Sequence, residues 1–120
     1  MTVQVVILQG AEADLHELRH YLFRRFGASR WRDSRQAIAR ALARIASQPQ
    51  AGKLPEELLA LNLAQYRQVL AGMNRIIYEL RGDVAYVHVI CDVRRDLRAL
   101  LLRRILEAKV DTPDHKGTPL

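Results

Sequence analysis

The sequence predicts an α+β fold: an N-terminal strand, a two-helix antiparallel hairpin, a three-stranded antiparallel meander and a short C-terminal helix. Three observations carry this prediction. The opening Thr2 to Leu8 is β-branched and apolar on both alternations; two stretches between Ala11 and Ser47 have helical apolar spacing; and three strand-like runs between Ala64 and Ile90 are separated by glycine-bearing turns.

Taken in order, the first strand reads as one covered on both faces or flanked by other strands. From Ala11 the period changes, with Leu15, Leu18 and Leu22 at helical spacing, acidic residues at the start and Arg24 and Arg25 at the end, as the helix dipole favours. Gly27 ends this helix. Trp31, Ile38, Ala41, Leu42 and Ile45 mark a second helix to about Ser47, with Arg32, Arg35, Arg40 and Arg44 as a solvated stripe. Two helices so joined form a hairpin whose apolar stripe must pack on a sheet. Prolines and glycine make residues 48–55 a loop, and Glu56 to Asn62 is compatible with a helical turn or irregular chain. The strand-like runs are Ala64 to Leu70, Arg75 to Leu80 and Val84 to Ile90, with a two-residue hairpin signal at Gly82-Asp83. Asp96 can cap a helix from Leu97 to Lys109. Residues 1–110 are expected to form one domain, and 111–120, with two prolines and a glycine, a flexible tail.

Composition narrows the function. No apolar run approaches the ~20 residues needed to span a bilayer, and no basic leader precedes the opening strand, so a soluble cytoplasmic protein is expected. Cys91 is the only cysteine, which excludes an internal disulfide and a cysteine-rich metal site; a buried thiol is expected. His16 and His20 are four apart on a helix with no third ligand in view, so no metal or cofactor is expected. Nineteen basic residues against thirteen acidic ones, a net charge of +6 carried mostly by arginine, imply an acidic partner. Arginine's planar fork suits phosphate or carboxylate equally, so charge alone does not choose between nucleic acid and protein.

A Gly82-Asp83 turn pairs Arg81 with Val84, Leu80 with Ala85, Glu79 with Tyr86, Tyr78 with Val87 and Ile77 with His88. One face then holds Ile76, Tyr78, Leu80, Ala85, Val87 and Val89 for the helix hairpin. The other holds Arg75, Ile77, Glu79, Tyr86, His88 and Ile90, and is the face where function is expected. An even-length loop at Gly72 would set Arg67 beside Tyr78 on the core face, where an unpaired charge is costly. An odd loop would turn Arg67 and Val69 toward Arg75, and is the expected arrangement.

This order of elements resembles the RelE/ParE toxin superfamily. So do Ala11-Glu12-Ala13-Asp14-Leu15, Pro49 with Gly52, Tyr66-Arg67 before Arg75-Ile76-Ile77-Tyr78-Glu79-Leu80, and the run Val87 to Leu97 with its Arg94-Arg95-Asp96. The resemblance covers about residues 3–106 and leans to ParE. It implies a type II toxin-antitoxin toxin, growth-inhibiting and linked to plasmid stabilisation, held by a cognate antitoxin in a hetero-oligomer. Its target would be DNA gyrase if ParE-like, or messenger RNA on the ribosome if RelE-like.

For RNA cleavage, Arg67, Arg75 and Arg95 stand where RelE-like members carry basic residues, and Glu79 with His88 could serve as acid and base. Against it, a basic position of the RelE strand is apolar Val69, and the aromatic of the last helix is replaced by aliphatic residues within Ala99 to Leu102. A structural histidine, bonded to Glu79 or Tyr86, is the plainer reading of His88. The ParE reading requires no catalytic residue. It assigns Arg94, Arg95, Arg98, Arg103 and Arg104 to target binding, against the alternative of a solvated stripe paired with Asp92, Asp96 and Glu107. Ile77, Tyr86, Ile90, Leu101 and Leu102 are the expected antitoxin contacts, since the apolar run of the last helix exceeds one buried stripe. A non-toxic nucleic-acid-binding module is a third reading, with no zinc-finger, phosphate-loop or helix-turn-helix pattern behind it.

Overall fold

The computed structural model describes residues 2–111, 118 and 119, with side-chain surroundings for residues 2–107. The elements are β1 (Gln4–Ile7), α1 (Gln9–Phe26), α2 (Ala28–Ser47), α3 (Glu56–Leu59), β2 (Tyr66–Ala71), β3 (Asn74–Arg81), β4 (Val84–Asp92), α4 (Leu97–Asp111) and β5 (Thr118–Pro119). The α+β order predicted from the sequence is the observed one, with α3 filling the ambiguous stretch after the loop. Of the tail expected to be flexible, residues 112–117 and 120 lie outside the described residues, and Thr118–Pro119 pair antiparallel with β1.

One sheet runs β2-β3-β4-β1-β5, its meander antiparallel and β1 parallel to β4. Both meander turns have two residues and begin with a glycine at positive φ, 62° at Gly72 and 61° at Gly82, a conformation open to glycine and well matched to strand twist. The α1–α2 hairpin covers one face. Its core packs Ala11, Ile38, Ala41, Leu42 and Ile45 on Val5, Ile7, Ile76, Tyr78, Ala85, Val87 and Ile90. On the opposite face α3 and α4 supply Leu58, Leu97, Leu100 and Leu101 against Tyr66, Ile77, Val89 and Cys91. Asp96 accepts the Ala99 N–H at 3.2 Å, capping α4 as expected. Among the described residues no helix is long and apolar enough to cross a membrane.

Two registers differ from the sequence-based expectation. The turn at Gly72 is even, so Arg67 stands opposite Tyr78 and Val69 opposite Ile76, on the hairpin face. The objection that this buries a bare charge fails because β2 is an edge strand. Arg67 reaches over the rim, and its Nη1 donates to the carbonyls of Gln50 and Gly52 at 3.1 and 3.0 Å. The same loop accepts the Tyr78 hydroxyl at the Pro49 carbonyl, 2.6 Å away.

The second difference is a β-bulge. Tyr78 pairs with Val87 as predicted, but Ile77 pairs with Val89, leaving His88 as the extra residue. Beyond it the alternation inverts. Val89 joins Ile77 beneath α4, and Ile90 joins Ile76 beneath the hairpin, the reverse of the predicted faces.

The bulge coincides with the end of β1. The last β1-side bond to this edge runs from Leu8 N–H to the Val87 carbonyl at 3.1 Å. Further along, side chains replace the missing strand. Arg104 Nη1 donates to the His88 carbonyl at 2.9 Å, and Asp14 Oδ2 accepts the Ile90 N–H at 2.9 Å. Arg104 and Asp14 are themselves joined through both guanidinium nitrogens, with side chains only 13% and 11% exposed. Gly10 makes room for this crossing, since a Cβ there would stand 2.7 Å from Arg104 Nη1.

Candidate functional site

Beneath α3 and α4, the sheet carries a row of buried polar side chains: Arg75, Glu79 and His88, each less than a tenth exposed. Charges survive such burial only when paired, and the partners are present. Arg75 makes a two-pronged bond to Glu57, with Nη1 and Nη2 at 2.8 and 2.9 Å from its carboxylate oxygens, and Nε donates to Gln68 Oε1 at 2.8 Å. That bond holds the Glu57 carboxyl below its ordinary range and raises Arg75 further.

His88 Nε2 lies 3.1 Å from Glu79 Oε1, and Arg81 Nη2 lies 3.2 Å from the same oxygen. Burial pushes the Glu79 carboxyl up, but the bonds from His88 and Arg81 outweigh it and leave the group below its ordinary value. The His88 ring meets the Tyr66 ring edge-on at 5.2 Å, and burial, helped by the charge on Glu79, pushes the Tyr66 hydroxyl up to about 12. Burial likewise raises the Cys91 thiol. Tyr86 is half-buried, its ring 5.6 Å from the Arg81 guanidinium.

The structure thus brings together Arg75, Glu79, Tyr86 and His88 of the predicted open face and removes Arg67, which lies on the other side of the sheet. A catalytic base must reach the proton it takes, and a phosphate must touch its cations. Here the Arg75 fork is committed to Glu57, the His88 nitrogen faces Glu79, and Arg95 is on the surface beyond the strand end.

Exposed cations follow the end of β4. Arg94, Arg95, Arg98 and Arg103 are all exposed, at the turn after β4 and along α4. Arg94 pairs with Asp92, Nε to Oδ1 at 2.8 Å, but its side chain is 81% exposed, and such a pair holds little energy. Arg104, grouped with them from sequence, is instead the largely enclosed partner of Asp14. Of the expected antitoxin contacts, Ile77, Ile90 and Leu101 are core residues, exposed by 4% or less; Tyr86 and Leu102 reach the surface.

Sequence reasoning missed the Asp14–Arg104 pair and Glu57. For the pair a signal existed. Asp14 follows Ala11 by three and precedes Leu18 by four, and Arg104 follows Leu97 by seven and Leu100 by four, so each charge falls within its helix's apolar stripe. A charge there needs a partner from another element.

The profile of the ParE toxin of the type II toxin-antitoxin system, parDE, matches residues 5–100. Among solved structures, a chain from the chromosomal ParDE TA system of P. aeruginosa is similar, with a TM-score of 0.63 at 14% identity over 78% of this chain and 98% of that one. Identity that low shows a shared fold alone. No curated protein is a significant match to the sequence.

Proposed function

Because the chain belongs to the ParE toxin family of type II toxin-antitoxin systems, we propose that it inhibits DNA gyrase and is neutralised by a cognate antitoxin in the cytoplasm, acting as a single domain. The observation that carries this reading is the state of the would-be nuclease residues. Arg67 is on the far face of the sheet, Arg75 is held by Glu57 and Gln68, and Glu79 and His88 are buried against each other. A protein that acts by docking has no use for an open catalytic set. It requires an exposed complementary surface, and Arg94, Arg95, Arg98 and Arg103 supply a basic one suited to an acidic protein surface or to DNA held there. The antitoxin contacts narrow to Tyr86 and Leu102, joined by Leu106, which is 63% exposed on the same helix.

The test is a supercoiling assay with purified gyrase beside a ribosome-dependent RNA cleavage assay on the same preparation. Inhibited supercoiling or trapped cleaved DNA, with intact RNA, is the expected outcome. Cut RNA with unaffected gyrase would overturn it and restore the RelE-like reading. Arg95→Ala, a surface change, is expected to keep the thermal midpoint and weaken gyrase inhibition about tenfold, the loss of one good charged contact; full potency would remove Arg95 from the target surface.

A further inference from the structure

Among the described residues, the outer end of the α1–α2 hairpin carries no buried core of its own. Between Leu22 and Ile38 no residue is fully buried, so about four turns of helix project beyond the hairpin's packed core. This overhang concentrates the charge of the protein. Residues 19–35 contain six arginines (Arg19, Arg24, Arg25, Arg30, Arg32 and Arg35) and one acid, Asp33, giving a local charge of +5 against +6 for the whole chain. All six arginines are exposed, and none has an ion-pair partner among the described residues.

Large rings lie among them. Tyr21, Phe23 and Phe26 are 52%, 43% and 51% exposed. Their arrangement is ordered: Arg30 lies 4.8 Å from the Phe26 centroid, Arg25 5.6 Å from Tyr21 and Arg19 5.9 Å from Phe23, and the Tyr21 and Phe26 rings meet edge-on at 6.4 Å. His16, Glu17, His20, Tyr21, Arg24 and Arg25 line a shallow concavity beside this cluster.

We propose that the end of this helical hairpin binds single-stranded nucleic acid, its arginines contacting phosphates and its rings and guanidinium planes stacking bases. The argument is one of chemistry. Unpaired arginines alone would suit any polyanion, but half-exposed rings held beside guanidinium groups form the platform on which unpaired bases stack, and every base offers a face to it. Self-association through the same end is opposed, since it would bring two like charges of +5 together. The inference does not depend on gyrase as the target.

The test is fluorescence anisotropy with labelled oligothymidylate of about 20 nucleotides, a duplex of equal length and a poly-glutamate competitor, over a salt series. Binding to the single strand is expected, with a log–log salt slope near −4 if six phosphates are contacted and a slope about 1.4 shallower in the Arg25→Gln/Arg30→Gln protein. Phe26→Ala should weaken single-strand binding about fivefold to a hundredfold. All these positions are exposed, so thermal midpoints should match the parent. The proposal is overturned if these variants bind as the parent does, if duplex binds as tightly as the single strand and is insensitive to Phe26→Ala, or if poly-glutamate competes on equal terms and so points to an acidic protein partner.

Discussion

Removing Asp14 should be among the most damaging single changes in this protein, although nothing in the residue's own helix requires it. Asp14→Ala deletes both carboxylate contacts to Arg104 and the acceptor of the Ile90 N–H. Arg104, 13% exposed, is left beside the His88 carbonyl without a counter-charge. Breaking a buried pair by deleting one partner costs about 3–5 kcal/mol, and an orphaned buried N–H about 1–3 kcal/mol. The two overlap, because the same collapse can relieve both, so about 4 kcal/mol is expected in all. For a domain of this size that is about 15 °C in thermal midpoint. Arg104→Met should lose about 3 kcal/mol, since Asp14 keeps the Ile90 amide. The double variant should lose at least about 2 kcal/mol less than the sum, because neither charge remains to be left bare. Urea unfolding followed by circular dichroism on all four proteins measures the cycle. Single losses under about 1 kcal/mol, or strict additivity, would refute the claim that this pair stands in for a missing strand.

Acid should unfold the protein through Glu57 and Glu79. Both carboxyls lie below 4.5 in the folded chain, so their contribution is fully present above that value and is lost as pH falls through the folded values; a midpoint flat from neutrality to about pH 5 and falling below it is expected, and Glu79→Gln should blunt the fall. At Gly52 a Cβ would clash with the Tyr78 hydroxyl, so Gly52→Ala should cost about 1–3 kcal/mol by denaturant titration. Adding Tyr78→Phe, which removes the obstructing oxygen, should recover part of that loss, and no recovery would locate the strain elsewhere. Leu102→Asp should preserve the melting temperature and weaken the antitoxin complex about tenfold or more in a pull-down or calorimetric titration; an unchanged complex would exclude Leu102 from that interface.

The strands and helices were legible because each carried its own period and its own punctuation. Gly82-Asp83 fixed the β3–β4 pairing over Tyr78 to Arg81, and Gly27 ended α1. What the sequence could not display was the point where a strand stops obeying its period. His88 occupies a bulge set by partners far along the chain, Arg104 and Asp14, and period-two counting past it exchanged Val89 with Ile90. Arg67 was misplaced for a related reason. The cost of burying its charge was judged without the Gln50 and Gly52 carbonyls, which a loop supplies only once folded. In the candidate site, residue types showed that Arg75, Glu79 and His88 share a face, but not that Glu57 from α3 would occupy the arginine.

The ion pair between α1 and α4 also bears on how the protein is made. Asp14 emerges early in synthesis and Arg104 ninety residues later, and β1 pairs with β4, roughly eighty residues downstream. Until β4 has left the ribosome β1 lacks its neighbour, and until α4 follows, the His88 carbonyl is bare and the α4 side of the sheet is uncovered. Contacts so distant along the chain are late and slow to form. A nascent copy therefore acquires its finished shape only after Arg104 has been translated, and a truncated product ending before Arg104 would be a misfolded chain, open to proteolysis.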